Sequence, residues 1–365
     1  MKLAIVRQKY TPFGGAERFV ERALAALQAN GTDVSIIARS WTGDVKGITC
    51  NPFFIGRTWR DKSFAQGVQR VIATNRFDLV QSHERIPGCH IYRAGDGVHA
   101  TWLALRKQPF DILSPWHRYT LKAERAMFGH PNLRAVICNS HMVRDDIAQR
   151  FGIANEKLHV IYNGVDLDYF HPGLRAAHRK TQRAEIMGET LSAEANDAAK
   201  VVLFVGSGYA RKGLPTLLRA MVPVDAELWV VGRDKSEQVM RQLSRTLGID
   251  QRVRFFGGQT DVRPFYGAAD VFALPTLYDP FPNAALEALA CGLPVVTTHT
   301  CGAAEFITAA NGQTLQAGDV KALSVALAHV IAHAESMRVA ARESVSHLSL
   351  SAMAEKLLAL YRRLS

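Results

Sequence analysis

Two carboxylates eight positions apart are among the side chains of this sequence best suited to chemistry. Asp279 precedes a predicted helix over residues 284–291 and Glu287 lies within it, so both can face an extended ligand at the amino end of that helix. Glu287 has alanine and leucine neighbours, where an unpaired carboxylate is costly. A pair of ligand hydroxyl groups would satisfy it, so the spacing predicts a site for a ligand that carries hydroxyl groups.

Two adjacent cations, Arg211 and Lys212, lie in a glycine-rich segment, 206–213, between a predicted strand and a predicted helix. An arginine fork beside a lysine point charge is well placed to neutralise a diphosphate. A similar turn contains Gly14 and Gly15, where backbone N–H groups can approach an anion. A solvated cation pair and a tight turn are the alternative interpretations. Neither G-x-G-x-x-G nor a Walker A sequence is present, so nicotinamide and P-loop ATP sites are not supported.

The order of apolar runs indicates an α/β protein, because short β-branched runs alternate with amphipathic stretches through both halves. Strands are predicted at 3–7, 33–38, 78–82, 135–139 and 159–162, and again at 201–205, 227–231, 254–256, 271–274 and 295–297. Helices are predicted at 16–29, 214–221, 236–247, 262–268 and 284–291, followed by three more at 320–334, 336–347 and 351–364. The polar stretch 174–200 between the halves is almost free of large apolar residues, which suits a linker with one exposed helix. His83 ends a predicted strand where α/β folds place ligand-facing residues, with a structural role as the alternative.

Length and composition exclude several classes of protein. With 365 residues, 48% of them hydrophobic, each half can form its own core. No run approaches the roughly 20 apolar residues that span a bilayer, and the first apolar run stops at Arg7, so we expect a cytoplasmic chain. The five cysteines show no C-x-x-C spacing, which argues against a disulfide framework and a structural zinc.

The charge is concentrated in the first half. Residues 1–165 contain 23 Lys and Arg against 13 Asp and Glu, which is +10 of the net +11. A basic face attracts nucleic acid, anionic lipid or phosphorylated sugar. Residues 102–128 interleave aromatic with basic side chains, which suits an anionic membrane surface, although core packing of the same aromatics is the alternative. The candidate membrane contacts are Trp102, Arg106, Lys107, Trp116, Arg118 and Lys122.

Motifs along nearly the whole chain resemble those of the family-4 retaining glycosyltransferases of the GT-B fold. They are Phe13-Gly14-Gly15, 206–213, Phe255-Phe256-Gly257 followed by Asp261-Val262, Ala269-Asp270, the acid pair and small-Gly-x-Pro turn within 279–294, and Cys301-Gly302. Within the family, segments 10–15, 40–44 and 207–213, and Pro87-Gly88 followed by Asp96, are most similar to members that add glucose to the inner-core heptose of lipopolysaccharide.

The resemblance implies two Rossmann-like domains that face each other across a cleft. Residues 1–168 would bind the acceptor, 169–199 would link, 200–345 would bind the nucleotide sugar, and 346–365 would form a helix that crosses back to the first domain. The expected partners are a nucleotide-sugar donor, a phosphorylated lipid-linked oligosaccharide acceptor and the anionic cytoplasmic face of the inner membrane. We expect no nucleic-acid partner and no cofactor, while the oligomeric state stays open.

The resemblance also implies residue roles. Arg211 and Lys212 would bind the donor diphosphate, Glu287 the ribose, and Asp279 the sugar hydroxyls. The donor-binding candidates are Gly14, Gly15, Ser207, Arg211, Lys212, Phe256, Gly257, Asp279, Phe281, Pro282, Asn283, Ala284 and Glu287. The catalytic candidates are Asp96, Asp279, Arg211 and Lys212, and the acceptor-side candidates are Glu17, His83 and Arg93. A turn aspartate is the alternative interpretation of Asp96.

The implied reaction is a front-face substitution without a metal, in which the leaving phosphate accepts the proton of the acceptor. On this division of roles, Asp279→Ala lowers kcat and leaves UDP affinity nearly intact. One departure from the family is that Asp279 stands where its members usually have glutamate, which leaves the identity of the transferred sugar open. A UDP-N-acetylhexosamine donor and another glycan acceptor are the alternatives within the family. Rival interpretations are a sugar-nucleotide epimerase, a glycogen-phosphorylase-like enzyme and a basic nucleic-acid-binding protein. The last lacks aromatic–basic RNA motifs and a recognition helix.

Overall fold

A computed structural model describes residues 1–10, 31–41, 46–187 and 199–365. The chain forms two α/β units, as the pattern of apolar runs predicts. Unit 1 comprises Met1–Gly164 together with Leu350–Ser365, and unit 2 comprises Val165–Ser349. No helix within the described ranges is long and apolar enough to cross a membrane.

Unit 1 is built on a parallel sheet. Its described strands are β1 (Lys2–Val6), β3 (Asp33–Ala38), β5 (Gly47–Thr49), β6 (Leu79–Ser82), β7 (Ile91–Arg93), β8 (Ala135–Cys138) and β9 (Leu158–Val160), in the spatial order β5-β3-β1-β6-β7-β8-β9. A separate pair joins β2 (Lys9–Tyr10) to β4 (Ser40–Trp41). The strand order reverses between β1 and β6, so the carboxyl ends of these two strands form a topological switch point.

Both faces of this sheet are covered by helices. The described helices of unit 1 are α1 (Gly56–Thr74), α2 (His99–Arg106), α3 (Pro115–Phe128), α4 (His141–Phe151) and α11 (Leu350–Leu364). Alternate residues of β1 face opposite sides: Leu3 and Ile5 pack in one cluster with Leu357 of α11, whereas Ala4 packs in another with Phe64 of α1. This alternation follows from the twofold periodicity of a strand.

Unit 2 repeats the arrangement with its own parallel sheet. Its strands are β10 (Val201–Val205), β11 (Glu227–Val231), β12 (Val253–Gly257), β13 (Val271–Leu274), β14 (Val295–Thr298) and β15 (Gly312–Leu315), in the order β12-β11-β10-β13-β14-β15. Its described helices are α5 (Leu174–Met187), α6 (Leu214–Ala220), α7 (Glu237–Thr246), α8 (Arg263–Ala268), α9 (Asn283–Ala290) and α10 (Val320–Ser344). The order reverses between β10 and β13, which places a second switch point at their carboxyl ends.

The structure differs from the sequence interpretation in the segment that was expected to be a linker. Helix α5 packs on α8, and three of its arginines contact Asp270: Arg183 at 2.7 Å, Arg179 at 2.7 Å and Arg175 at 3.5 Å. Arg183 is fully buried. The helix is therefore part of unit 2, because the carboxylate gives its basic face a partner within the fold.

Two further differences concern helix and strand limits. Residues 320–344 form one helix where two were expected, since no proline or glycine interrupts the stretch and Glu335, at the expected break, pairs with Arg338 at 3.0 Å. The sequence interpretation also omitted the short strands β5, β7 and β15, each three or four residues long. The predicted helix over 16–29 lies outside the described residues.

Candidate active site

The best-developed cluster of candidate residues lies at the switch point of unit 2. Strands β10 and β13 are neighbours, with Val202 paired to Val271, and the loops that follow them contain Arg211 and Lys212 on one side and Asp279 on the other. Ligands of open α/β sheets bind at such a reversal of strand order. The topology therefore brings together two segments that are about seventy residues apart in sequence.

The loop over 206–213 depends on glycine where it meets its neighbour. Gly213 has φ of 79°, and a Cβ there would lie 1.9 Å from the carbonyl oxygen of Pro275. Asp234, which follows β11, accepts hydrogen bonds from the backbone N–H of Gly208 at 2.7 Å and of Tyr209 at 3.1 Å. Although burial opposes it, hydrogen bonds from Ser236 and these amides lower the pKa of Asp234. An ionised Asp234 therefore holds the backbone of the loop in place at Gly208 and Tyr209.

Both cations of this loop point at one carboxylate oxygen. Arg211 Nη1 lies 3.2 Å from Asp279 Oδ2, and Lys212 Nζ lies 3.2 Å from the same atom. Arg211 Nη1 also donates to the carbonyl oxygen of Tyr278 at 2.9 Å. The Asp279 side chain is 9% exposed, while that of Arg211 is 36% exposed. The cluster has two positive charges and one negative charge, so it retains an attraction for an anion.

The backbone of Asp279 is held on both sides by the loop after β14. Its N–H donates to the carbonyl oxygen of Thr300 at 3.1 Å, and its carbonyl oxygen accepts from the N–H of Gly302 at 2.9 Å. The main chain at Asp279 is therefore anchored by two hydrogen bonds. Movement of the carboxylate has to come from the side-chain torsions.

Glu287 lies on α9, where the phenol of Tyr266 donates to its carboxylate at 2.9 Å and to the carbonyl oxygen of Ala284 at 3.1 Å. Burial and the neighbouring Glu287 charge hold the pKa of Tyr266 well above its usual range. The phenol therefore remains a donor. It orients the carboxylate, which is half-buried.

The remaining donor-side candidates of unit 2 differ in how exposed they are to solvent. Ser207 is exposed, Asn283 and Ala284 are half-buried in the first turn of α9, and Phe281 and Pro282 are buried. The Phe281 ring packs edge-on against Phe306, which gives it a role in packing. The Phe256 carbonyl accepts from the Gln259 amide at 2.7 Å, and the Gly257 carbonyl accepts from Gly232 at 2.7 Å. Gly14, Gly15 and Glu17 lie outside the described residues.

The described candidate residues of unit 1 lie at the carboxyl ends of β6 and β7, next to its own switch point. His83 follows β6 and Arg93 ends β7, two neighbouring strands. Burial, with the nearby charges of Arg93 and Arg7, lowers the pKa of His83 well below its usual range, so its ring is neutral at neutral pH. Burial also lowers the pKa of Arg93 to about 10, although Tyr361 opposes the shift. Asp96 is exposed in the turn after β7.

Sequence reasoning missed the acidic and basic neighbours of Asp96. Glu84 accepts from the backbone N–H of Gln8 at 3.0 Å, and burial together with Asp96 raises the pKa of Glu84. Arg85 donates to Glu124 at 2.9 Å. The sequence did contain a signal for Glu84 and Arg85, because both directly follow His83 at the carboxyl end of β6. Within the described ranges, no three histidine, cysteine, aspartate or glutamate side chains form a group that could hold a metal ion.

The candidate membrane contacts divide into exposed and packed side chains. Arg106, Lys107, Arg118 and Lys122 are exposed, and Trp102 is half-buried. Trp116 instead packs within the fold. Its indole N–H donates to Asp61 at 2.7 Å, and the guanidinium carbon of Arg57 lies 3.3 Å from the centre of the Trp116 ring. Exposed apolar side chains also lie in unit 1, and they are Phe53 at 73%, Ile55 at 69%, Trp59 at 48%, Phe110 at 77% and Leu113 at 65%.

Comparisons with known proteins match both units to one kind of enzyme. Residues 13–169 match the model for Glycosyltransferase Family 4, and residues 199–333 match the model for Glycosyl transferases group 1. The chain is 32% identical over 340 residues to the uncharacterized glycosyltransferase MJ1607 of Methanocaldococcus jannaschii, covering 84% of this chain and 83% of that protein.

One further relative and two solved structures are also similar to this chain. The lipopolysaccharide glucosyltransferase WaaG of Escherichia coli K12 is 27% identical over 332 residues, covering 86% of this chain and 85% of that protein. Its crystal structure superposes with a TM-score of 0.83 over 98% of this chain and 99% of that one, at 25% identity. HepE of Anabaena, in complex with UDP and glucose, shares the fold with a TM-score of 0.72, covering 100% of each chain at 19% identity.

Proposed function

We propose that this chain, which belongs to glycosyltransferase family 4 and has the GT-B fold, transfers glucose from UDP-glucose to an inner-core heptose of lipopolysaccharide. Its likeness to WaaG, a lipopolysaccharide glucosyltransferase, supports the sugar and the acceptor. HepE, whose structure holds UDP and glucose on the same fold, supports the donor. A UDP-N-acetylhexosamine donor or another glycan acceptor is the alternative within the family.

The observation that carries this proposal is the convergence of Arg211 and Lys212 on Asp279 at the switch point of unit 2. Two cations stabilise the negative charge that develops on a diphosphate leaving group. Glu287, oriented by Tyr266, is suited to accept hydrogen bonds from the ribose hydroxyls. Asp279 is suited to accept hydrogen bonds from hydroxyls of the sugar.

The reaction we propose retains the configuration at the anomeric carbon. The bond from that carbon to the diphosphate oxygen breaks, and the acceptor hydroxyl forms the new bond on the same face. The proton of the hydroxyl passes to the leaving phosphate. Arg211 and Lys212 neutralise the leaving group, so the mechanism requires no divalent metal. We therefore expect UDP release to continue in excess EDTA, and loss of release that added Mg²⁺ or Mn²⁺ restores would contradict this part.

We further propose that unit 1 holds the phosphorylated, lipid-linked acceptor at the cytoplasmic face of the inner membrane. The carboxyl ends of β6 and β7 supply His83, Asp96 and Arg93, and its surface combines exposed basic and apolar side chains. Basic residues favour an anionic leaflet, and exposed aromatic rings favour the interfacial region. The charge of residues 1–165, at +10, supports the same partner.

The proposal is tested by UDP release from a panel of UDP-sugars, with and without a heptose-containing core oligosaccharide. We expect release from UDP-glucose that depends on the acceptor, and at least about a hundredfold loss in Lys212→Gln, because one of the two leaving-group cations is removed. Lys235→Gln changes an exposed lysine after β11 and is the matched control. If the enzyme prefers another UDP-sugar, that sugar takes the place of glucose in the proposal. If no UDP-sugar gives acceptor-dependent release of UDP, the proposed function is contradicted.

A further inference from the structure

Asp279 occupies the cations that the proposed function assigns to the donor diphosphate. A single oxygen, Oδ2, lies 3.2 Å from both Arg211 Nη1 and Lys212 Nζ. Lys212 is well covered, with 12% of its side chain exposed. A carboxylate in this position already satisfies part of the electrostatic demand of both cations.

A diphosphate and this carboxylate therefore compete for the same partners. Both are anions, and both seek the Arg211 guanidinium and the Lys212 ammonium at hydrogen-bond distance. Because the side chains of Arg211, Lys212 and Asp279 are only partly exposed to solvent, electrostatic attraction and repulsion among them are stronger than on an open surface. A bound diphosphate beside an unmoved Asp279 would experience like-charge repulsion.

We propose that Asp279 is an internal counter-ion of the diphosphate site, which the donor displaces from the cations and which then binds the sugar. This inference rests on the proposed function and adds to it the order in which the contacts of Asp279 break and form. The diphosphate takes Arg211 and Lys212, and the released carboxylate turns to the sugar hydroxyls. After transfer, its return to the cations weakens the hold on UDP and favours product release.

The anchoring of the main chain explains how this exchange can be confined to one side chain. Hydrogen bonds to Thr300 and Gly302 hold the backbone of Asp279 on both sides. Rotation about the side-chain torsions then moves the carboxylate while the loop stays in place. An aspartate has one methylene fewer than the glutamate usual in this family, which limits the range of that movement.

Asp279→Asn tests the proposal, since it keeps the shape of the side chain and removes its charge. We expect the variant to bind UDP about fivefold to tenfold more tightly in calorimetry, because a competing ion pair worth roughly 1 kcal/mol is lost. Uridine, which has no phosphate, should bind both proteins equally. Asp279→Ala should show the same gain for UDP, in place of the nearly unchanged UDP affinity that the family's division of roles implies, and this guards against an effect peculiar to asparagine.

Asp225→Asn is the matched control, because it removes one negative charge from an exposed position before the amino end of β11, whereas the site lies at the carboxyl ends of the strands. Its UDP affinity should equal that of the wild type. Unchanged or weaker UDP binding in both Asp279 variants would overturn the proposal, as would an equal gain for uridine. Acceptor-dependent UDP release by the wild type tests the proposed function separately, so the two failures are distinguishable.

Discussion

At the scale of single residues, the cluster of Arg211, Lys212 and Asp279 in the proposed donor site has one unit of positive charge in excess. Arg211 and Lys212 share the carboxylate of Asp279, while Glu287 is held by the phenol of Tyr266. The first group is suited to a diphosphate and the second to vicinal hydroxyls. The two acids of the pair therefore have different partners and should affect different kinetic constants.

Substitution of Glu287 tests this difference. Glu287→Gln should raise the Kd for UDP by about tenfold or more, because a hydrogen bond to a charged acceptor contributes roughly 1.5–3 kcal/mol. Since the ribose contact is made equally before and during transfer, kcat should change much less than KM. Glu227→Gln removes the charge of an acid that pairs with Arg254 at the amino end of β11, and it should leave UDP binding unchanged. A fall confined to kcat would assign Glu287 to the reacting centre.

The sequence predicted Arg211, Lys212 and Asp279 because each follows a strand with a clear apolar pattern, and Glu287 because it lies among the apolar residues of a helix. It did not identify Asp234, whose hydrogen bonds to Gly208 and Tyr209 span about 25 residues. Which loop reaches which backbone amide depends on strand order, and strand order is not contained in a local pattern. The pairing of Asp279 with both cations was missed for the same reason.

At the scale of elements, the helix expected to link the two halves shows how charge can replace apolar packing. Helix α5 has few large apolar residues, yet Arg183 is fully buried against Asp270. The pKa of Asp270 falls to about 2 despite burial, because Arg183 and Arg179 favour the carboxylate. A composition that indicates exposure was thus misleading, since the partner of the arginines lies about 90 residues away.

We expect Asp270→Asn to destabilise unit 2 by about 3–5 kcal/mol in urea unfolding, because the buried arginine loses its counter-ion. The control Asp261→Asn breaks a half-exposed pair with Arg263 and should cost about 1 kcal/mol or less. Because the folded pKa of Asp270 is depressed, its contribution is present above about pH 4 and is lost as the pH falls towards 2. Equal stability losses in the two variants would contradict this role.

The last helix, α11, belongs to unit 1, where Leu357 and Leu360 are buried and the Tyr361 phenol donates to Gln81 at 2.6 Å. Its apolar face was visible in the sequence, and a detached tail would expose it. Truncation after Ser349 should therefore lower both solubility and Tm. Leu357→Ala should cost about 2–5 kcal/mol, whereas Lys356→Ala, at the exposed neighbour, should cost little. An unchanged Tm after truncation would show that the helix adds nothing to unit 1.

At the scale of the whole molecule, charge and exposed apolar surface are concentrated in unit 1. The composition of residues 102–128 predicted a surface of this kind that includes Trp116, whose half-buried ring packs against Arg57. It also overlooked Phe53, Ile55 and Trp59, because an isolated apolar run cannot be distinguished from a core segment before the fold is known. The side-chain exposures therefore define the membrane proposal better than composition does.

Vesicle co-sedimentation tests this surface. Wild-type protein should bind anionic vesicles more strongly than neutral ones, and binding should weaken as salt rises. Combined Phe53→Ser and Phe110→Ser should reduce binding by about tenfold, because two exposed rings lose their apolar contact with the interface. Val339→Ser, at an equally exposed position of unit 2, should leave it unchanged. Binding that is indifferent to lipid charge and to salt would contradict the proposal.

The most direct test of the account is the structure of the product formed from UDP-glucose and a heptose-containing core acceptor, determined by NMR spectroscopy and mass spectrometry. The account predicts one added hexose, identified as glucose, in an α linkage to heptose, with one UDP released for each glucose transferred. A β linkage would contradict the retaining mechanism. UDP release without any transfer of sugar to the acceptor would contradict the central claim that this chain is a lipopolysaccharide glucosyltransferase.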